Sequence, residues 1–298
     1  MKSWIQAFRL RTLPLAFSGW LVGISLTANA ATLNYTVAGL TLLTAVFLQI
    51  LSNLANDYGD ATSGVDEKRT GEVRMVSSGQ ISSQAMKKAM IVFSLLSLAS
   101  GSWLLYLAFP NDFIKAIIFL LIGLIGIAAA IKYTVGKNPY GYAGFGDVFV
   151  FVFFGLVLVF GTYYLQVQRL DWLIFLPAAS LGLFSVGVLN VNNIRDIESD
   201  KAAGKNSIPV RIGRVAAVRY HSVILVLGLL LSALYVHLTF STLWGFLFLM
   251  VGFLFQKNIR AVSTLPSAKL DPYLKQMAIS TLLFAVLFSV GQLVSLLA

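Results

Sequence analysis

Two polar segments carry most of the groups that could do chemistry in this chain. The first contains Asn53, Asn56, Asp57 and Asp60, with Asp66 beyond them. The second contains Asn192, Asn193, Arg195, Asp196 and Asp200. Each closes a long apolar run. Carboxylates at that depth are costly and ordinarily mark a cation or proton site. Asn and Asp side chains together make an oxygen-rich set suited to a hard cation. Mg²⁺ is commonly held by one or two carboxylates plus substrate phosphates. Two facing half-sites would therefore hold Mg²⁺ ions that bridge one diphosphate. The candidate metal ligands are Asn56, Asp57, Asp60, Asn193, Asp196 and Asp200. The plainer alternative pairs these carboxylates with Arg195, Lys201 or Lys205 at the membrane surface.

Basic residues follow both segments. Lys68, Arg69 and Arg74 follow the first, and Lys205 and Arg214 follow the second. Guanidinium forks match phosphate geometry, which makes these five the candidate diphosphate contacts. A third constellation runs from Lys132 and Tyr133 through Tyr140 and Tyr142 to Asp147. Lys132, Tyr133 and Asp147 join Asp60, Asp196 and Asp200 as candidate catalytic groups. Asn53, Tyr140, Tyr142, Asn192 and Arg195 are candidate substrate contacts. Snorkelling of Lys132, an interfacial tyrosine belt and helix capping by Asp147 are the structural alternatives. There is no cysteine, and His221 and His237 are the only histidines, so thiolate and histidine metal clusters are excluded. No Gly-x4-Gly-Lys-Ser/Thr pattern is present to support nucleotide-driven chemistry.

The two polar segments superpose after a shift of 140 positions. Asn53 then falls on Asn193, Asn56 on Asp196, Asp60 on Asp200, Gly64 on Gly204 and Arg74 on Arg214. Spacings of i, i+3 and i+7 put the first three side chains on one helical face. An internal repeat with halves at about 10–135 and 145–275, then a last helix at 276–296, accounts for the match within one domain spanning 1–298. Repeats in membrane folds place the site between their halves.

The elements that position these groups are membrane spans. The 298 residues are 58% hydrophobic and 11% charged, with mean hydropathy +0.82. Soluble domains carry about 25% charged residues. With about 20 apolar residues per span, the pattern predicts nine helices. Their limits are 13–33, 36–56, 87–108, 113–132, 146–166, 172–193, 216–237, 240–256 and 276–296. Of the 22 Lys and Arg, all but Lys115 and Arg169 fall on one side of this arrangement. Cytoplasmic loops carry that excess. The bias puts the N-terminus and both acidic segments inside and the C-terminus outside, consistent with an odd number of spans. It also explains the net charge of +10 without a nucleic-acid partner. The N-terminal stretch from Met1 to Arg9 reads as a retained amphipathic lead-in and not a cleaved signal.

Asn56-Asp57-x2-Asp60 with Asp66, paired with Asp196-x3-Asp200, resembles the two aspartate-rich motifs of the UbiA superfamily of intramembrane prenyltransferases. The span pattern is similar over essentially the whole chain. Three stretches are similar to the branch acting on 1,4-dihydroxy-2-naphthoate. They are Asn53–Asp60, Tyr140–Val150 with Gly161–Tyr164, and Leu189–Asp196 with Asp200. The resemblance implies an all-α fold of nine helices around a central cavity, with a cytoplasmic polar cap. It implies Mg²⁺ as cofactor, a polyprenyl diphosphate donor and an aromatic acid acceptor within the lipid bilayer. It further implies loss of the acceptor's carboxylate as CO₂, a demethylmenaquinol product, and a bacterial cytoplasmic membrane as location. The alternatives are a sister enzyme using 4-hydroxybenzoate or homogentisate, or a divalent-cation or lipid transporter.

Overall fold

A computed structural model describes residues 2–28, 30, 32–63 and 74–298. Among the described residues the fold is wholly helical, without strands. A short lead-in helix, α1 (Lys2–Ala7), precedes α2 (Leu13–Thr27), α3 (Tyr35–Thr62), α4 (Ser83–Ala108) and α5 (Phe113–Lys132). Then come α6 (Gly146–Val150) and α7 (Leu158–Val167), joined without a break by the π-helical stretch Phe151–Val157. The chain continues as α8 (Phe175–Arg195), the short α9 (Ile197–Ala202), α10 (Ile208–Thr239), α11 (Gly252–Thr264) and α12 (Asp271–Leu297).

Among the described residues eight helical segments are long and apolar enough to cross a membrane. The predicted first span is the exception. It forms α2, which has 15 residues. The structured spans also overrun their apolar cores. α3 continues to Thr62, past the predicted limit of 56, because the polar side chains of its last turns have partners inside the protein. Local chemistry sets several starts. Asn34 Oδ1 accepts from the N–H groups of Thr36 and Val37. The Ser82 hydroxyl caps α4 through Ala85 N–H, and Asp112 caps α5 through Lys115 N–H. These side chains satisfy N–H groups that the first helical turn leaves without partners.

Lipid gives helices no hydrophobic reason to associate, so close packing around small residues does the work. A Cβ on Gly155 would lie 2.6 Å from Gly182 Cα, so the π-helical stretch and α8 meet backbone to backbone. Likewise Leu158 fills the space over Gly19, and Thr162 the space over Gly23, seating α7 against α2. The largest core gathers α2, α7, α8, α10, α11 and α12 around Phe184, Phe248, Phe284 and Phe288. α3 and α4 pack together over smaller clusters. α5 is the outlier: only Gly126 and Ala129 are buried along it. Its other flank borders a large internal cavity.

Candidate active site

The cavity has a volume of about 810 Å³ and lies between α2, α3, α4, α5, the α6–α7 span and α8. Apolar side chains such as Leu48, Leu104, Phe119 and Phe153 line its depth. Its far end reaches Lys115, Leu170 and Trp172. At the opposite end stand Asn53, Asn56, Asp60, Arg74, Asn192 and Lys205. One space therefore joins an ionic mouth to a hydrocarbon-lined chamber.

α3 brings the first polar segment to that mouth. Asp60 is 2% exposed. Its Oδ2 accepts from Arg74 Nη2 at 2.7 Å, and its Oδ1 accepts from the Tyr142 hydroxyl at 2.8 Å. Asn56 lines the cavity, and its Oδ1 lies 3.4 Å from the Thr134 hydroxyl that donates to it. Gly59 makes this approach possible, since a Cβ there would sit 2.5 Å from Thr134 Oγ1. Asn53 lines the mouth but spends its amide on the N-terminal lead-in, donating to Phe8 O and to Thr12 Oγ1, each at 2.9 Å.

The second segment is shaped differently. α8 ends at Arg195, and Asp196, with φ −99° and ψ 12°, turns the chain into α9. The predicted continuous helical face thus holds in the first copy and breaks in the second. Asp196 accepts from Arg195 Nε on Oδ1 and from Arg195 Nη2 on Oδ2, both at 2.8 Å. Asp200 pairs with Lys205 at 3.3 Å. Lys205 Nζ lies 5.8 Å from the centre of the Tyr142 ring, and Tyr142 in turn donates to Asp60. Lys205 and Tyr142 so connect the acidic groups of the two segments.

Two tyrosines complete the floor. Tyr133 and Tyr140 line the cavity. Tyr140 stacks on Phe149 with centroids 3.9 Å apart and donates to Ala129 O at 2.8 Å. Burial pushes the Tyr133 phenol well above its ordinary range, and the negative charges of Asp147, Asp60 and Asp200 push it further. Burial also raises Tyr140. Both remain neutral donors at physiological pH.

The donor set suits a hard cation shared with a ligand. Asn193 is buried, and its Oδ1 has no hydrogen-bond partner among the described residues, which leaves an amide oxygen of the kind Mg²⁺ accepts. Among the described residues no three His, Cys, Asp or Glu form a closed metal cage.

The UbiA prenyltransferase family model matches residues 16–282. This chain belongs to the UbiA prenyltransferase family. It is 43% identical to the 1,4-dihydroxy-2-naphthoate octaprenyltransferase of Escherichia coli over 97% of its own length and 94% of that protein's. It is 42% identical to the Haemophilus influenzae protein of the same name, over 99% of this chain and 96% of that one. A UbiA homolog from Aeropyrum pernix has the same fold, with TM-score 0.69 at 16% identity, covering 98% of each chain. So has a UbiA homolog from Archaeoglobus fulgidus bound to GPP and Mg²⁺, with TM-score 0.63 at 17% identity, covering 98% of this chain and 100% of that one.

Several residues of this UbiA chain sit elsewhere than the sequence predicts. Asp57 is turned away from the cavity: its two oxygens accept from the N–H groups of Met75 and Val76 at 3.0 and 2.9 Å, which anchors the segment carrying Arg74. Arg214 is likewise engaged away from the mouth. It donates to Ser267 Oγ and to the carbonyls of Val262 and Leu265, clamping the α11–α12 connection. In the second half Lys205, not Arg214, stands where Arg74 stands in the first. Lys132 is exposed, and Asp147 accepts from the Tyr220 hydroxyl at 2.8 Å; neither lines the cavity, nor do Tyr142, Asn193, Arg195, Asp196 and Asp200, of which Tyr142 and Asp200 meet the cavity wall through Asp60 and Lys205. Asn192 lines it and holds Arg195 at 2.9 Å. Asp66, Lys68 and Arg69 lie outside the described residues. Sequence reasoning missed Arg9 and Arg11, which line the mouth. The signal available for them was a basic pair just before the first span. Arg9 also holds a left-handed backbone with φ 49°, an uncommon state for a residue with a side chain.

Proposed function

We propose that this protein transfers a polyprenyl group from polyprenyl diphosphate to 1,4-dihydroxy-2-naphthoate, with loss of CO₂ and diphosphate, giving demethylmenaquinol for menaquinone biosynthesis. One observation carries the reaction class: a single cavity couples the ionic cluster of Asp60, Arg74 and Lys205 to an apolar chamber. Such a space takes a ligand with an anionic head and a hydrocarbon tail. The choice of acceptor rests on relatives that share the name across nearly the whole chain.

In this reading Asn56, Asp60, Asn193, Asp196 and Asp200 hold Mg²⁺ together with the diphosphate. Bound Mg²⁺ would act as a Lewis acid that stabilises charge on the departing diphosphate. Arg74 and Lys205 contribute fixed positive charge beside the same leaving group. The Tyr142 hydroxyl orients Asp60. Phe119, Phe149 and Phe153 keep water from the allylic carbon as its bond to oxygen breaks. Tyr133 and Tyr140, held neutral, orient the acceptor ring, with Asn192 and Arg9 lining the cavity beside its carboxylate. The new C–C bond forms at the ring carbon that loses CO₂.

The same reading gives the membrane arrangement. α2 is a ninth crossing, short at about 22 Å from 1.5 Å per residue, with the lead-in lying at the inner surface. The halves at about 10–135 and 145–275 form the two sides of the site. The Lys and Arg excess places the mouth and the N-terminus in the cytoplasm and the C-terminus outside.

Purified protein incubated with a polyprenyl diphosphate, Mg²⁺ and either 1,4-dihydroxy-2-naphthoate or 4-hydroxybenzoate tests this directly. A decarboxylated prenyl-naphthoquinol, abolished by EDTA and restored by Mg²⁺, is the expected product. Prenylated 4-hydroxybenzoate alone would move the protein to the sister activity. Cation flux in vesicles without any prenylated product would replace the enzyme with a transporter.

A further inference from the structure

Asp271 opens α12, far in sequence from both polar segments, yet it touches the second one through a single intermediary. Its carboxylate accepts from Arg195 Nη1 at 2.6 Å. It also accepts from Arg11 Nη1, at 3.2 Å on Oδ1 and 3.1 Å on Oδ2. Arg195 is 5% exposed and Asp196 4%. The Nε–Nη2 edge of Arg195 covers both oxygens of Asp196. Its Nη1 corner is turned to Asp271. One buried guanidinium is therefore shared between a candidate metal ligand and a carboxylate of another helix.

We infer that Asp271 is a positioning residue for the cation site at Asp196. The inference rests on the reading of Asp196 as a metal ligand. A buried guanidinium needs an anion, and removing a partner from a buried pair is strongly unfavourable. With its fork on Asp196, Arg195 competes for the oxygens a cation needs. Asp271 gives the guanidinium a second anion on a different edge, so Arg195 keeps a partner when Asp196 turns an oxygen to a cation. Arg11, on the far side of Asp271, draws on the same carboxylate and tempers that effect. Asp271 falls between the last two predicted spans, 240–256 and 276–296, and the sequence alone gives it no role.

The test uses the full chain in detergent micelles with inorganic pyrophosphate. Mn²⁺ binding is followed by electron paramagnetic resonance at high ionic strength, where long-range fields are screened. Asp271→Asn should raise the Mn²⁺ concentration for half-saturation about tenfold, the lower range for groups that orient metal ligands. Asp271→Glu, which keeps the charge, should recover most of that loss. Arg11→Gln should shift half-saturation the other way, and it keeps the inference testable should the Asn variant fail to fold. Melting in the absence of Mn²⁺ reports any purely structural stapling of α2, α8 and α12. Lowered melting with unchanged Mn²⁺ affinity in Asp271→Asn overturns the inference while leaving the metal site standing. Equal Mn²⁺ binding by the unaltered chain and by Asp196→Asn overturns the ligand assignment itself, and this inference with it.

Discussion

Asp60 is the residue at which geometry and chemistry converge most closely. It is buried, it lines the cavity, and its oxygens are held by a guanidinium and a phenol from two other segments. Asp60→Asn keeps the shape and removes the charge. It should lower kcat/KM for prenyl transfer about 10²- to 10³-fold, the scale for one well-placed electrostatic group, with helical circular dichroism unchanged. Tyr142→Phe removes one hydrogen bond to that carboxylate and should cost about tenfold, matching ~1.5 kcal/mol for a bond to a charged group. Lys132→Ala should leave turnover within about twofold, since that side chain stands outside the cavity. Much of this was legible beforehand, because Asn and Asp at i, i+3 and i+7 announce a polar helical face. What stayed hidden was partnership. Asp57 and Asp60 look equivalent in the chain, but one anchors backbone N–H groups while the other faces the cavity. A three-residue offset on a helix rotates a side chain by about 300°, and only the neighbouring segments decide which direction is useful.

At the level of helices, hydrophobic runs located the spans well and their ends poorly. Transfer energy stops rewarding a helix at the edge of its apolar run, whereas capping and internal partners do not. That is why α3 continues to Thr62 and α4 begins at Ser83, four residues before the predicted start. The π-helical stretch has no counterpart in hydropathy. It arises where Gly155 lets its backbone lie directly on α8. Gly155→Ala would force atoms into backbone with no freedom to move, and should lower stability by about 1–3 kcal/mol, read as a fall in melting temperature. Gly39→Ala on α3 has open space around it and should be neutral or raise stability by up to about 1 kcal/mol. Equal losses at both sites would remove the argument that close approach, not helix propensity, governs these glycines. The kink in α10 was equally hidden. Gly213 holds φ 76°, a conformation open to glycine, inside what otherwise reads as one long helix.

For the whole molecule, the asymmetry of Lys and Arg makes a prediction that needs no assay of activity. The chain has no cysteine, so any introduced thiol reports alone. Lys137→Cys lies in the turn between α5 and α6, and Asn111→Cys in the turn between α4 and α5; both positions are exposed. A membrane-impermeant maleimide applied to intact spheroplasts should label Asn111→Cys and should reach Lys137→Cys only after permeabilisation. The reverse pattern would turn the protein over in the membrane and move the ionic mouth outside. The cavity's shape has a further consequence for selectivity. Its walls offer a tail mainly hydrocarbon contact, and the far end reaches Lys115, Leu170 and Trp172 at the other edge of the fold. Each added methylene is worth about 0.8 kcal/mol only where it leaves water. A tail already dissolved in lipid gains almost none of that by lying in an apolar chamber. The protein would then read the head of its donor and be nearly blind to how many isoprene units follow. The length of the side chain on the finished quinone would be decided upstream, by whichever enzyme polymerises the donor.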